Sequence, residues 1–123
     1  MFKIQTFNKI SVNGLNQFGR DQYEVASEIA KPDAILLRSH KLAAADVGRS
    51  VHAIARAGAG VNNIPVTDMT ARGIVVFNTP GANANAVKEL VLAAMLLASR
   101  DIIGGVRFVR EEQKETDDAT LSK

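Results

Sequence analysis

His52-Ala53-Ile54-Ala55-Arg56-Ala57-Gly58-Ala59-Gly60 is the stretch on which the fold turns. A short apolar run ends in a single arginine, and a glycine-rich turn comes at once. An unbroken apolar run of this length suits a parallel strand covered on both faces, whereas a strand with one wet face alternates. The same pattern stands on either side. Ala34-Ile35-Leu36-Leu37-Arg38-Ser39 comes after the turn Lys31-Pro32-Asp33, and Gly73-Ile74-Val75-Val76-Phe77-Asn78 is closed by Thr79-Pro80-Gly81. Towards the amino terminus, Phe2-Lys3-Ile4-Gln5-Thr6-Phe7 alternates apolar and polar residues and reads as a half-buried strand. Asn13-Gly14 and Gly19 punctuate the next stretch, and Tyr23-Glu24-Val25-Ala26-Ser27 is a further strand candidate.

Helices fit between these runs. Leu42 to Arg49 is rich in alanine. A short helix is expected to open near Pro65, whose fixed φ suits a first turn, and to end at Gly73. The last helix is expected to start near Asn85 as its cap, to carry Glu89 near its positive end and to stop at Gly104-Gly105. Its middle, Leu90 to Ala98, is apolar all round, the pattern of a helix buried on every side. A chain this small cannot readily cover such a helix, so a further domain or a partner chain is its expected cover. Glu111 to Lys123 reads as a solvated tail or a frayed helical extension. The strands and helices alternate from one end to the other, which predicts an α/β domain with a doubly wound parallel sheet of about five strands. The body is placed at residues 1–105, and a polar tail at 106–123.

Composition narrows the function. With 46% hydrophobic and 23% charged residues in 123, the chain is an ordinary globular domain. A net charge of +2 does not by itself attract nucleic acid. The absence of cysteine removes disulfides, thiolate metal sites and a cysteine nucleophile. Two histidines, His40 and His52, are too few for a usual zinc site, and they read as structural. The longest apolar run, Leu90–Ala98, is about half a membrane span, and residues 1–5 do not read as a secretory signal. The expectation is a cytoplasmic protein without nucleic-acid or membrane partners.

In doubly wound sheets ligands sit beyond the carboxyl ends of the strands. Arg38 and Arg56 each end an apolar run, so neighbouring strands would bring two guanidinium groups to one rim. The turn Ala57-Gly58-Ala59-Gly60 offers backbone N–H groups, and Gly81-Ala82-Asn83-Ala84-Asn85 leads into a helix. Together these features describe a cleft for a small, doubly anionic molecule: backbone amides for a carboxylate, arginines for a phosphate or second carboxylate. Each feature also has a plain structural reading. A strand-end arginine can be a surface residue or sit in a local ion pair, Gly58 and Gly60 can serve a turn of positive φ, Asn83 and Asn85 can be helix caps, and Met69 and Met95 can fill the core. The glycine turn is not read as a dinucleotide site. Asn63 holds the third glycine position of the fingerprint, Pro65 comes too soon, and no acidic residue lies between Arg72 and Lys88 to hold a ribose.

Residues 34–105 resemble the substrate-binding domain of the D-isomer-specific 2-hydroxyacid dehydrogenases. The resemblance rests on Leu37-Arg38-Ser39, on Ala55 to Ile64, on Arg72 to Asn83, and on Glu89-Leu90 opening the long helix. It implies a flavodoxin-like substrate domain split in sequence around a Rossmann domain that binds NAD, with hydride passing between C2 of a hydroxy acid and the nicotinamide. In that family the catalytic His, Glu and Arg come from the second domain, so no catalytic residue and no cofactor-binding residue is expected in this chain. The chain is read as roughly the first third of such an enzyme, an incomplete substrate-binding domain that needs no cofactor of its own. By resemblance Arg38, Ser39 and Arg56 would meet the anionic end of a phosphorylated or dicarboxylic hydroxy acid. The turn Ala57, Gly58, Ala59, Gly60 and the side chain of Asn83 would position it. The Asn85–Ile103 helix would cross to the NAD domain and join two subunits of a homo-oligomer. A second reading of the same features is a stand-alone anion-binding or assembly module without catalysis, its apolar helix serving as the contact surface.

Overall fold

The computed structural model describes the backbone of residues 1–119 and the side chains of residues 1–113. Five strands, β1 (Phe2–Thr6), β2 (Tyr23–Ala26), β3 (Ala34–Leu37), β4 (Ala53–Arg56) and β5 (Val75–Phe77), form one sheet in the order β2-β1-β3-β4-β5. Every pairing is parallel. This is the flavodoxin-like order, and its switch point falls between β1 and β3. The predicted strands are therefore all present, in the predicted class of sheet.

Register divides the side chains between two faces. Ile35 lies opposite Ile54 and Ile54 opposite Val76, so these residues share a face. That face is closed by Leu42, Val47, Val51, Ile64, Met69 and Ile74, which with Ile35, Leu37 and Ile54 make one buried cluster. The opposite face carries Val75 and Phe77, 47% and 56% exposed. Helix α1 (Val12–Leu15) is a single turn, and α2 (Val66–Ala71) delivers Met69 to the core.

The end of α2 obeys the glycine rule closely. Gly73 has φ +71°, its N–H donates to the Thr70 carbonyl at 3.0 Å, and the Ile74 N–H donates to the Met69 carbonyl at 2.9 Å. These two bonds satisfy carbonyls that a helix end leaves open, and the apolar pair Met69 and Ile74 seals the turn. Only glycine takes that φ without strain.

Three expectations are corrected. Leu42 to Arg49 does not form an α-helix but a single 3-10 turn at Ala44–Asp46. Its buried anchors, Leu42 and Val47, stand five residues apart and would lie on different faces of an α-helix. The Arg72 guanidinium instead donates to the carbonyls of Ala44, Val47 and Gly48 at 2.7–3.1 Å and holds the segment as a loop. Likewise β2 and β3 are joined by a loop, without the intervening helix that strict alternation requires.

The third correction concerns the long helix. Helix α3 (Ala84–Arg100) breaks at Asp101, and α4 (Ile102–Ala119) runs through Gly104-Gly105, where a stop was expected, and on into the segment read as a tail or helical extension. Asp101, at φ +44°, accepts the Gly104 N–H on its side chain and the Gly105 N–H on its carbonyl, so it acts as the cap of a new helix. Asn85 lies inside the first turn of α3, where its side chain bonds Glu89 and Lys88, and is not the cap. Residues 1–83 form one compact unit, and α3 with α4 a second. No residue of α3 is buried: Leu90 is 71% and Met95 62% exposed, so Met95 fills no core.

Candidate anion-binding site at the carboxyl ends of the strands

The carboxyl ends of β1, β3, β4 and β5 lie side by side, and they carry every predicted substrate-binding residue, Arg56 as the last residue of β4 and the others in the loops that follow. Leu37 pairs with Arg56 in register, so Arg38 and Arg56 end adjacent strands. The two are connected directly: the Arg56 Nε–H donates to the Arg38 carbonyl at 2.9 Å. Its Nη1 donates to the Gly60 carbonyl. Two of the five guanidinium donors of Arg56 are thus spent on shaping the loops. The Arg38 guanidinium is exposed and makes no hydrogen bond or ion pair among the described residues. Ser39 comes next, with its backbone N–H and that of His40 both bonded to the Asn8 side-chain oxygen, at 3.0 and 2.6 Å.

The glycine turn is held open by Arg56. A Cβ on Gly60 would lie 3.0 Å from Arg56 Nη1, and one on Gly58 3.4 Å from Nε. Neither glycine has a positive φ. Their smallness therefore serves the close approach of the guanidinium and not the turn conformation that the sequence alone suggested. The β5 end braces the turn from the other side: Asn78 Nδ2 donates to the Ala59 carbonyl at 2.7 Å and the Thr79 N–H to the Gly58 carbonyl at 3.0 Å. Of the four amides proposed for an anion, two are already used. The Ala57 N–H donates to the Leu37 carbonyl and the Gly58 N–H to the Arg56 carbonyl. The amides of Ala59 and Gly60, both exposed, have no acceptor among the described residues. Asn83 lies in the turn after β5 and is exposed, with no side-chain bond among the described residues.

The electrostatics of these loops have one sign. Residues 7–11, 38–43, 57–65 and 78–83 contain Lys9, Arg38, His40 and Lys41 but no aspartate or glutamate, and Arg56 stands at the foot of the same rim. Positive charge in the loops that also carry two unused amides, at a sheet's carboxyl edge, favours a small anion. Sequence reasoning gave no role to three residues that build this edge. Asn8 spans the switch point, and its φ of +67° is one that asparagine tolerates better than most residues. Asn63 donates to the carbonyls of Arg38 and His40, at 3.2 and 2.7 Å, and so fixes the Arg38 loop against the β4–α2 loop. Asn78 is the third, through its bond to the glycine turn. Their amide side chains bond across segments up to 32 residues apart, a pairing that no spacing rule announces. The cavity of about 370 Å³ lined by Phe2, Ile4, Phe18, Tyr23, Asp33 and His52 is apolar and lies at the amino-terminal ends of the strands.

The same loops decide whether the chain can hold a dinucleotide. The space beside Gly58 and Gly60, where a pyrophosphate would approach a fingerprint turn, is filled by the Arg56 guanidinium, and the next helix has six residues. These residues do not fit a nicotinamide dinucleotide.

The chain matches the family model "D-isomer specific 2-hydroxyacid dehydrogenase, catalytic domain" over residues 3–120. It belongs to that family of oxidoreductases. Among curated relatives, the D-3-phosphoglycerate dehydrogenase of Archaeoglobus fulgidus is 38% identical over 109 residues, covering 84% of this chain and 21% of that protein. The hydroxypyruvate reductase of Thermotoga maritima is 35% identical over 109 residues, covering 78% of this chain and 36% of that protein. The chain therefore spans only about a fifth to a third of these relatives' length. Among solved structures, the NAD+-bound 3-phosphoglycerate dehydrogenase of Entamoeba histolytica aligns with a TM-score of 0.65 at 28% identity, over 78% of this chain and 38% of that one. A Pyrococcus horikoshii protein aligns over 100% of this chain and 41% of its own, with a TM-score of 0.69 at 20% identity, and supports the fold alone.

Proposed function

We propose that this chain is the substrate-binding portion of an NAD-dependent D-3-phosphoglycerate dehydrogenase, which oxidises 3-phospho-D-glycerate at C2 to 3-phosphohydroxypyruvate. The observation that carries the reading is the pair of amides at Ala59 and Gly60 and the Arg38 guanidinium, all without partners among the described residues, at the ends of adjacent strands on a rim whose loops hold no acidic residue. A carboxylate accepts from the two amides. A phosphate suits Arg38, whose planar fork bonds such oxygens in pairs. Ser39 and Asn83 border the anion, and Arg56 holds the turn in shape and offers its remaining donors. The relatives named for 3-phosphoglycerate support the choice of acid.

The cofactor is assigned to a separate lobe, because the glycine turn here does not accommodate one. The 123 residues by themselves hold the acid and do not oxidise it, since proximity to a hydride acceptor is what such catalysis requires. Helix α3, apolar all round its middle and exposed, is assigned to contact with a second copy of the chain. Isothermal titration of the chain with 3-phosphoglycerate, D-glycerate and NAD tests the assignment. The expected order is measurable binding of the phosphorylated acid, weaker binding of glycerate and none of NAD. Binding of NAD with no binding of either acid would overturn it.

A further inference from the structure

His40 reads as structural in the sequence, yet it stands on the rim. Its ring lies stacked on Phe7 at the end of β1, with centroids 4.4 Å apart and planes 12° from parallel. Its backbone is held at both ends, the N–H by the Asn8 side chain and the carbonyl by Asn63. Neither ring nitrogen has a hydrogen-bond partner among the described residues. An imidazole stacked on an aromatic ring keeps its nitrogens at the ring edge, where they remain free to donate. The charged groups in the loops around it are all cations: Lys9 after β1, Arg38 and Lys41 beside it, and Arg56 at the end of β4.

The rim is laid out in order. His40 contacts the β1 end, Arg38 leaves β3, and the Ala59 and Gly60 amides leave β4 and are braced from β5. Neighbouring strands lie about 4.8 Å apart. A three-carbon acid whose carboxylate takes the amides therefore extends its other end towards Arg38 and His40. We infer that His40 is a specificity-determining residue, a ring N–H bonding the phosphate end of the substrate beside Arg38. The inference rests on the proposed substrate site and adds the group that distinguishes a phosphorylated acid from its unphosphorylated counterpart.

The test monitors 3-phosphoglycerate and D-glycerate binding to the whole chain by the ¹H–¹⁵N shifts of the Ala59 and Gly60 amides, in wild type, His40→Phe and His40→Lys. His40→Phe keeps a ring to stack on Phe7 and removes the ring N–H. For 3-phosphoglycerate it is expected to cost about tenfold in affinity, the size of one charge-assisted hydrogen bond. For D-glycerate the affinity stays near that of wild type. His40→Lys, which keeps an N–H donor, is expected to retain the preference. Equal loss of both acids in His40→Phe, or unchanged 3-phosphoglycerate affinity, overturns the role of His40 and leaves the site standing. Failure of wild type to bind either acid overturns both.

Discussion

Arg56 carries the sharpest consequence of the site geometry. If its work is to hold the Gly60 and Arg38 carbonyls, a lysine in its place keeps the charge but not the planar fork that reaches two acceptors at once. Each bond, exposed and open to replacement by water, contributes about 0.5–1 kcal/mol, so Arg56→Ala is expected to cost about 1–2 kcal/mol of stability. With a urea slope of about 1.5 kcal/mol/M, the midpoint falls by about 1 M, and Arg56→Lys loses about half of that. Ligand binding separates the alternatives. A turn released from Arg56 no longer aims the Ala59 and Gly60 amides together, and losing one charge-assisted bond costs about tenfold in affinity. Arg56→Lys and Arg56→Ala should therefore weaken 3-phosphoglycerate binding to similar extents, while Arg38→Lys retains part of its affinity as a simple charge. Calorimetric titration of the three variants, beside urea unfolding, is the assay. A lysine variant that binds like wild type while the alanine variant does not would refute the shaping role and make Arg56 a point charge.

Other outcomes are equally specific. Gly73→Ala meets no atom within 4 Å, so its cost is backbone strain alone, about 1–2 kcal/mol less the entropy gained, and a lowered urea midpoint with unchanged slope checks it. Asn8→Gly keeps the positive φ and loses only the bonds to Ser39 and His40, whereas Asn8→Ala loses both; thermal unfolding should place the alanine variant about 1 kcal/mol below the glycine variant. Arg72→Ala frees the carbonyls of Ala44, Val47 and Gly48, and amide exchange is expected to quicken in residues 42–51 before the rest of the sheet. Leu90→Glu together with Met95→Glu, both on exposed α3, should reduce self-association in sedimentation; unchanged association would remove α3 from the contact.

The sheet was legible because its signals are local. The runs 34–37, 53–55 and 74–77 are each bounded by a polar or glycine residue and are apolar up to that boundary, so the strands and their shared edge are read from adjacent residues. The end of α2 was legible for the same reason, since Gly73 announces its own φ. The features that escaped depend on contacts distant in sequence. Alanine content suggested a helix over 42–49, but packing of Leu42 and Val47 and the reach of Arg72 decided against it. Gly104-Gly105 suggested a stop, but Asp101 had already capped a new helix. The rim arginines and the glycine turn were readable as a site, while the asparagines that fix them were not, because a side-chain amide bonding across about 20–30 residues leaves no periodic trace.

A crystal of this chain soaked with 3-phospho-D-glycerate tests the site most directly. The carboxylate is expected within hydrogen-bond reach of the Ala59 and Gly60 amides, and the phosphate within reach of the Arg38 guanidinium. Density for the acid at the amino-terminal ends of the strands, against Phe18 and His52, with the carboxyl rim empty, would contradict it.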